Sequence, residues 1–212
     1  KLVLGREVHQ ENLRMEAVLF ILFSLGINPH ECEAIFAGAA SKSQADGLAT
    51  SPPVLHRRID LANGENRCRL ARDIFHFGQC VKGLRHYALF AAILDLDENK
   101  VPGVRKMLGY ILRDESSRVE VLRNLFLEMV AENPELKSDQ FRNELAGLMR
   151  ETVASEKEFA RESLAGDAAS FSIEQLGGFI DYAADCRMRG CGLASLAPGK
   201  QNPIPKLSGL LH

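Results

Sequence analysis

The 212-residue chain has no tryptophan and only three tyrosines, Tyr87, Tyr110 and Tyr182. A long-range electron or radical path through aromatic side chains therefore has few stations. Five cysteines are present, Cys32, Cys68, Cys80, Cys186 and Cys191, but none forms a C-x-x-C pair and their number is odd. They read as buried thiols in a reducing compartment, not as a disulfide framework. P-loop, dinucleotide fingerprint and G-x-S-x-G are all missing, which removes the usual marks of nucleotide-driven and hydrolase chemistry. His9, His30, His56, His76, His86 and His212 follow no H-E-x-x-H or other ligand spacing. No signal peptide is recognisable, and the apolar run from Val18 to Leu25 is far short of a bilayer span. The expected location is intracellular, in the cytoplasm or an organellar matrix. The chain opens at Lys1 without an initiator methionine, which leaves room for a preceding segment.

Charge of one sign is also lacking. Lys and Arg number 26 against 28 Asp and Glu, so no overall basic excess points to nucleic acid. Hydrophobic residues make up 46% and charged residues 25%, a globular balance in a chain long enough for one sizeable core.

What is present is helical periodicity, with no convincing strand alternation. Residues 8 to 26 predict a helix stopped by Gly26. Leu13, Val18, Leu22 and Leu25 form its apolar side. Leu19, Phe20, Ile21 and Phe23 widen that side enough to predict burial in the middle of a bundle. A second helix is expected from Asn28-Pro29 to about Ala40, then a loop through Pro52 and Pro53, with His56-Arg57-Arg58 on the surface. From Glu65 to Asp95, Leu70, Ile74, Phe77, Val81, Leu84, Ala88 and Ala91 predict one long helix. Further helices are expected over 102–131, 136–164 and 172–190, the last opened by a Ser172-Ile173-Glu174-Gln175 capping box. Tyr110 and Tyr182 read as structural aromatics. Pro198 to His212 reads as an extended tail. The division is one helical domain over 1–197 and a tail over 198–212.

Within this pattern Glu115 and Arg118 lie three apart and share a helix face, as do Glu11 and Arg14. Such pairs are common on exposed helix faces, where they contribute little. Here they invite comparison with the Glu-x-x-His pairs of carboxylate-bridged di-iron bundles.

Several segments carry a wider likeness. Glu11-Asn12-Leu13-Arg14 resembles E-N-I-H, and Pro102-Gly103 with Arg113-Asp114-Glu115 resembles P-G followed by R-D-E-x-x-H. Ser155-Glu156-Lys157-Glu158-Phe159 resembles I-E-K-E-F. Phe179 to Asp185 with Arg187 resembles Y-I-E-Y-x-A-D-R-R, and Asn202-Pro203-Ile204-Pro205 resembles N-P-F-P. In this order the chain resembles the small subunit of class I ribonucleotide reductase, within the ferritin-like superfamily. The resemblance implies an all-α bundle whose first helices lie upstream of Lys1. It also implies two metals held by four carboxylates and two histidines, a radical tyrosine, and pairing through the early helices. A flexible C-terminal peptide would dock on a large subunit.

Residue by residue, Glu11 and Glu115 match two carboxylate ligands, while Arg14 and Arg118 stand in the histidine positions. Counting back from Pro102 puts Val81 at the third carboxylate, with Lys82 beside it pointing elsewhere. Val18 stands at the radical tyrosine. Phe77 and Asp114 match residues that support the ligands, and Arg85, one turn past Val81, is expected near the same region with Asp114 as a candidate partner. Arginine has five N–H donors, no lone pair to give and a pKa above 12, so it cannot replace a histidine ligand. The expectation is a degenerate, salt-bridged centre without metal, cofactor or catalytic residue. It would belong to a structural or assembly subunit whose partners are proteins. The alternative is a radical-generating subunit of ribonucleoside-diphosphate reductase, working in deoxyribonucleotide biosynthesis by altered chemistry.

Overall fold

The computed structural model describes residues 60–95, 102–164 and 170–211, together with single positions between 9 and 30. Five helices are described in full: α1 (Gly64–Phe75), α2 (Tyr87–Asp95), α3 (Pro102–Glu132), α4 (Asp139–Ser163) and α5 (Ile173–Gly190). No strand occurs among the described residues. None of the described helices is long and apolar enough to cross a membrane.

Local chemistry sets the helix ends. Asn63 accepts from the Glu65 backbone N–H at 2.8 Å and caps α1. Ser138 does the same for α4 through Phe141, after a 3₁₀ turn at Pro134–Lys137. The expected capping box opens α5: the Gln175 N–H donates to Ser172 Oγ at 3.1 Å, and the Ser172 N–H donates to the Gln175 side chain at 2.8 Å. At the other end of α5 the chain leaves through Gly192 at φ +69°, with the Leu193 N–H returning to the Met188 carbonyl at 3.0 Å. This left-handed exit favours glycine.

Phe75, Leu84, Phe126, Leu145, Met149, Leu176, Phe179 and Ile180 lie at the core, each essentially inaccessible. The Phe75 and Phe126 rings sit 5.5 Å apart, joining α1 to α3, and Tyr87 stacks on Phe179 at 6.4 Å, joining α2 to α5. Ring pairs at this spacing add to the area they bury.

The single helix expected from Glu65 to Asp95 is broken. α1 runs into a π-turn at His76–Val81, then a turn through residues 82–86 that ends on His86 at φ +69°. Two backbone bonds span five residues, from Lys82 N–H to the Phe77 carbonyl at 2.9 Å and from Arg85 N–H to the Cys80 carbonyl at 3.1 Å. Two glycines accommodate this. A Cβ on Gly78 would lie 2.7 Å from Leu122 Cβ on α3, and one on Gly83 would lie 2.6 Å from the Gln79 carbonyl oxygen. The π-turn and α3 therefore approach more closely than any side chain at 78 permits. We expect Gly78→Ala to cost about 1–3 kcal/mol through overpacking, read as a lowered urea midpoint with an unchanged slope.

Three further expectations change. Phe77, read as core, is 39% exposed, because the π-turn buries four consecutive residues, Gly78 to Val81, and rotates Phe77 outward. Tyr110, also read as core, is exposed on α3. Described positions between 9 and 23 are helical and Gly26 follows at φ +77°, as expected. However, Leu13, Leu19, Phe20 and Phe23 are 48–65% exposed, not buried in a bundle centre. These four apolar side chains are left uncovered among the described residues.

The tail also differs. Pro205–Leu211 forms a 3₁₀ turn that buries Leu207 and Leu210, where the prolines had suggested extended chain. Tyr87 donates from its hydroxyl to the Leu210 carbonyl at 2.7 Å. Lys206 pairs with Asp95, which holds the same turn against the end of α2.

Candidate functional site

The π-turn determines which side chains meet α3. Glu115 and Arg118 lie one turn apart on α3 and are 9% and 6% exposed. Arg118 Nη1 donates to Glu115 Oε1 at 3.4 Å. Lys82 Nζ reaches the same oxygen at 3.6 Å and also lies 5.7 Å from the centre of the Phe77 ring. One carboxylate oxygen is thus held between an ammonium and a guanidinium. This Glu-x-x-Arg pair is not the exposed kind common on helix surfaces. Both side chains are withdrawn from water, so their attraction is less screened than that of an exposed pair.

Lys82 was expected to point elsewhere, and Val81 to stand in its place. Val81 is buried and apolar, while Lys82 brings its charge to Glu115. The count back from Pro102 fixes a position in the sequence and does not say which way the neighbouring side chain points. A π-turn inserts about one extra residue per turn and moves the following side chain onto the facing surface. The signal available in the sequence was the pair Gly78 and Gly83 within an otherwise strong helical pattern, since each glycine costs about 1 kcal/mol in an ordinary helix.

Among the other expected residues, Arg85 is buried and Asp114 is exposed. Arg85 places its charge near Glu156, His76 and His86. Burial first, then the Arg85 charge, holds both histidines below their usual pKa. Glu11, Arg14 and Val18 lie outside the described residues. Among the described residues no three His, Cys, Asp or Glu side chains gather in one place.

Gln79 ties the π-turn to α3 by donating from Nε2 to the Val119 carbonyl at 3.2 Å. Its Oε1 is buried without a partner. Cys80 and Cys191 are buried thiols, each raised to about 12 chiefly by burial, so neither supplies a reactive thiolate at neutral pH.

Glu156 was noted only as part of a longer motif. It is 1% exposed and accepts from the Ala88 N–H at 2.9 Å at the start of α2. Burial pushes its pKa up, opposed by the backbone N–H groups of Ala88 and His86 and by Arg85. A carboxyl with a raised folded value contributes stability that is fully present below its unfolded pKa and declines as pH rises through the folded one. Across that interval the wild type is therefore expected to lose stability relative to Glu156→Gln. Urea unfolding of both proteins at a series of pH values checks this.

The family model for "Ribonucleotide reductase, small chain" matches residues 1–203. The chain is 24% identical over 206 residues to the ribonucleoside-diphosphate reductase subunit beta of Chlamydia pneumoniae, covering 96% of this chain and 59% of that protein. It is 27% identical over 126 residues to the subunit of the same name from Halalkalibacterium halodurans, covering 58% and 36%. The chain thus spans well under two thirds of the length of either relative. Among solved structures, the R2 subunit of ribonucleotide reductase from Clostridium botulinum superposes with a TM-score of 0.81 at 17% identity, over 99% of this chain and 65% of that one. A Bacillus halodurans protein described as a class I ribonucleotide reductase gives 0.74 at 20% identity, over 90% and 68%. At such identities the superpositions establish the ferritin-like fold alone.

Proposed function

The chain belongs to the ribonucleotide reductase small-chain family, and on that premise we propose that it is a non-catalytic member acting as a structural or assembly subunit within a protein complex. The observation that carries this reading is the double hold on Glu115 Oε1 by Lys82 and Arg118. A metal centre needs anionic or neutral lone-pair donors. Ammonium and guanidinium groups have none at neutral pH, and two fixed cations beside the donor oxygen oppose a third. The described residues therefore do not fit a two-metal centre, and no catalytic step is derived through one. In this reading Lys82, not Val81, has taken the place of the third carboxylate, and Arg118 that of a histidine. Arg14 and Val18 extend the same remodelling to the early helix. Charge once balanced by metal ions is balanced by side chains.

The aromatic side chains support the same conclusion. Tyr87 is committed to the Leu210 carbonyl and to Arg187, and no tryptophan is present to continue a radical path. The partner role rests on the uncovered apolar side chains Leu13, Leu19, Phe20 and Phe23, which suit packing against another protein chain. The names of the curated relatives favour the second reading, a radical-generating reductase subunit with altered chemistry.

Elemental analysis of the purified protein, after growth with added iron and manganese, separates the two. The proposal expects far less than one metal per chain, with no gain on reconstitution. Stoichiometric iron or manganese that is lost in Glu115→Ala would overturn it. Co-purification then identifies the partner class, a reductase large subunit or another assembly.

A further inference from the structure

We propose that the turn through residues 82–86 is a two-state element that couples the seating of the C-terminal 3₁₀ turn to the Glu115 site, with Arg187 as the positioning residue between them. With the tail seated, the turn is bent and holds Lys82 on Glu115. With the tail lifted, the turn rewinds into a straight helix and Lys82 leaves. This coupling does not depend on whether the chain is catalytic.

Both conformations are written into the chain. The steps Leu70, Ile74, Phe77, Val81, Leu84, Ala88 and Ala91 fit one straight helix. On that helix Phe77 shares the face of Ile74 and Val81, and Lys82 points off it. The bent form departs from this pattern at a local cost. It leaves Phe77 39% exposed, and it holds His86, which carries a Cβ, at φ +69°. Left-handed backbone at a residue other than glycine persists only where its surroundings impose it.

Two side chains impose it here. Glu156 on α4 accepts from the Ala88 N–H at 2.9 Å and from the His86 N–H. Arg187 on α5 donates from Nε to the Gly83 carbonyl at 3.1 Å. The same guanidinium donates to the Leu210 and Leu211 carbonyls at 3.3 and 3.4 Å, and to Tyr87 Oη, which itself donates to Leu210. Glu156 comes from the interior of the bundle, whereas Arg187 is shared with the tail. The tail is therefore part of what keeps Gly83 in place. Leu207 and Leu210 in the core and Lys206 on Asp95 keep the tail itself seated. Gly83 adjoins Lys82, so the carbonyl held by Arg187 lies next to the residue that meets Glu115 at 3.6 Å. Lifting the tail frees Arg187, and the strained turn loses one of its two holds.

Lysine acylation of the whole chain, read by mass spectrometry, reports on Lys82, and brief tryptic cleavage after Lys206 reports on the tail. Leu207→Asp lifts the tail, and Arg187→Met cuts the link. Each is expected to raise acylation of Lys82 at least about threefold, while Lys157, paired with Asp181 at 2.6 Å, keeps its rate. Coupling is reciprocal. Gly83→Ala, whose Cβ would lie 2.6 Å from the Gln79 carbonyl oxygen in the bent form, should therefore expose Lys82 and also speed cleavage after Lys206. His86→Gly favours the bent form and should restore the protection of Lys82 in Leu207→Asp. Gly83→Ala lies outside the tail, so it decides the matter even where Leu207→Asp fails to fold. Unchanged acylation of Lys82 in Arg187→Met, a matching rise at Lys157, unchanged cleavage in Gly83→Ala, or no rescue by His86→Gly would overturn the proposal.

Discussion

Arg118→Ala is expected to destabilise the protein by about 3–5 kcal/mol, the range for removing one partner of a buried ion pair. Glu115 would keep Lys82 at 3.6 Å, but the arginine is the more deeply buried of the two cations, its side chain 6% exposed against 18% for the lysine. The carboxylate would stay withdrawn from water with half of its compensation gone. Urea unfolding measures the loss. A value under about 1 kcal/mol would mean that Lys82 alone neutralises Glu115. Glu115→Ala in the same background should recover part of the stability, because the two residues act as one unit and their effects are not additive. That coupling matters for function. A centre whose charges are closed by its own side chains would hold together without metal, as the proposed structural role requires.

Asp185→Ala should cost about 3 kcal/mol through a different mechanism. Asp185 is buried near the end of α5. One of its oxygens accepts from Ser195 Oγ at 2.5 Å, Leu196 N–H at 2.8 Å and Ala197 N–H at 3.2 Å, while the other accepts from Arg189 Nε at 2.8 Å. Hydrogen bonds to an ionised group contribute roughly 1.5–3 kcal/mol each, and their donors lose their acceptor together when it is removed. The whole crossing from α5 into the tail is gathered on this carboxylate. Burial alone would raise its pKa, but Ser195, the backbone N–H groups and Arg189 bring it below the usual range. Its contribution is therefore present above the unfolded value and lost as pH falls through the folded one. Asp181, paired with Lys157 at 2.6 Å and Lys200 at 2.7 Å, is lowered in the same direction. The wild type should lose stability faster than Asp185→Ala as the medium is acidified below the normal carboxylate range, in thermal melts followed by circular dichroism.

Much of the bundle was legible in advance because its signals are local. Ser172 and Gln175 close their box from adjacent residues, Pro102 starts α3, and Gly192 ends the turn after α5. None of these needs a neighbour in space. The interior of α4 and α5 followed from a three- and four-residue step that a straight helix preserves. Phe77 and Tyr110 were misjudged because the same step was carried across a π-turn and along α3, where apolar character did not decide burial.

The sequence by itself determined the helical fold and the shared face of Glu115 and Arg118, since three residues along one helix bring two side chains together whatever surrounds them. Only the tertiary structure decided that Lys82 completes that site. Its direction depends on an extra residue in the turn at His76–Val81, and that turn is seated where Gly78 meets Leu122 across two helices. A contact of this kind arises from packing between distant segments, and no local spacing specifies it.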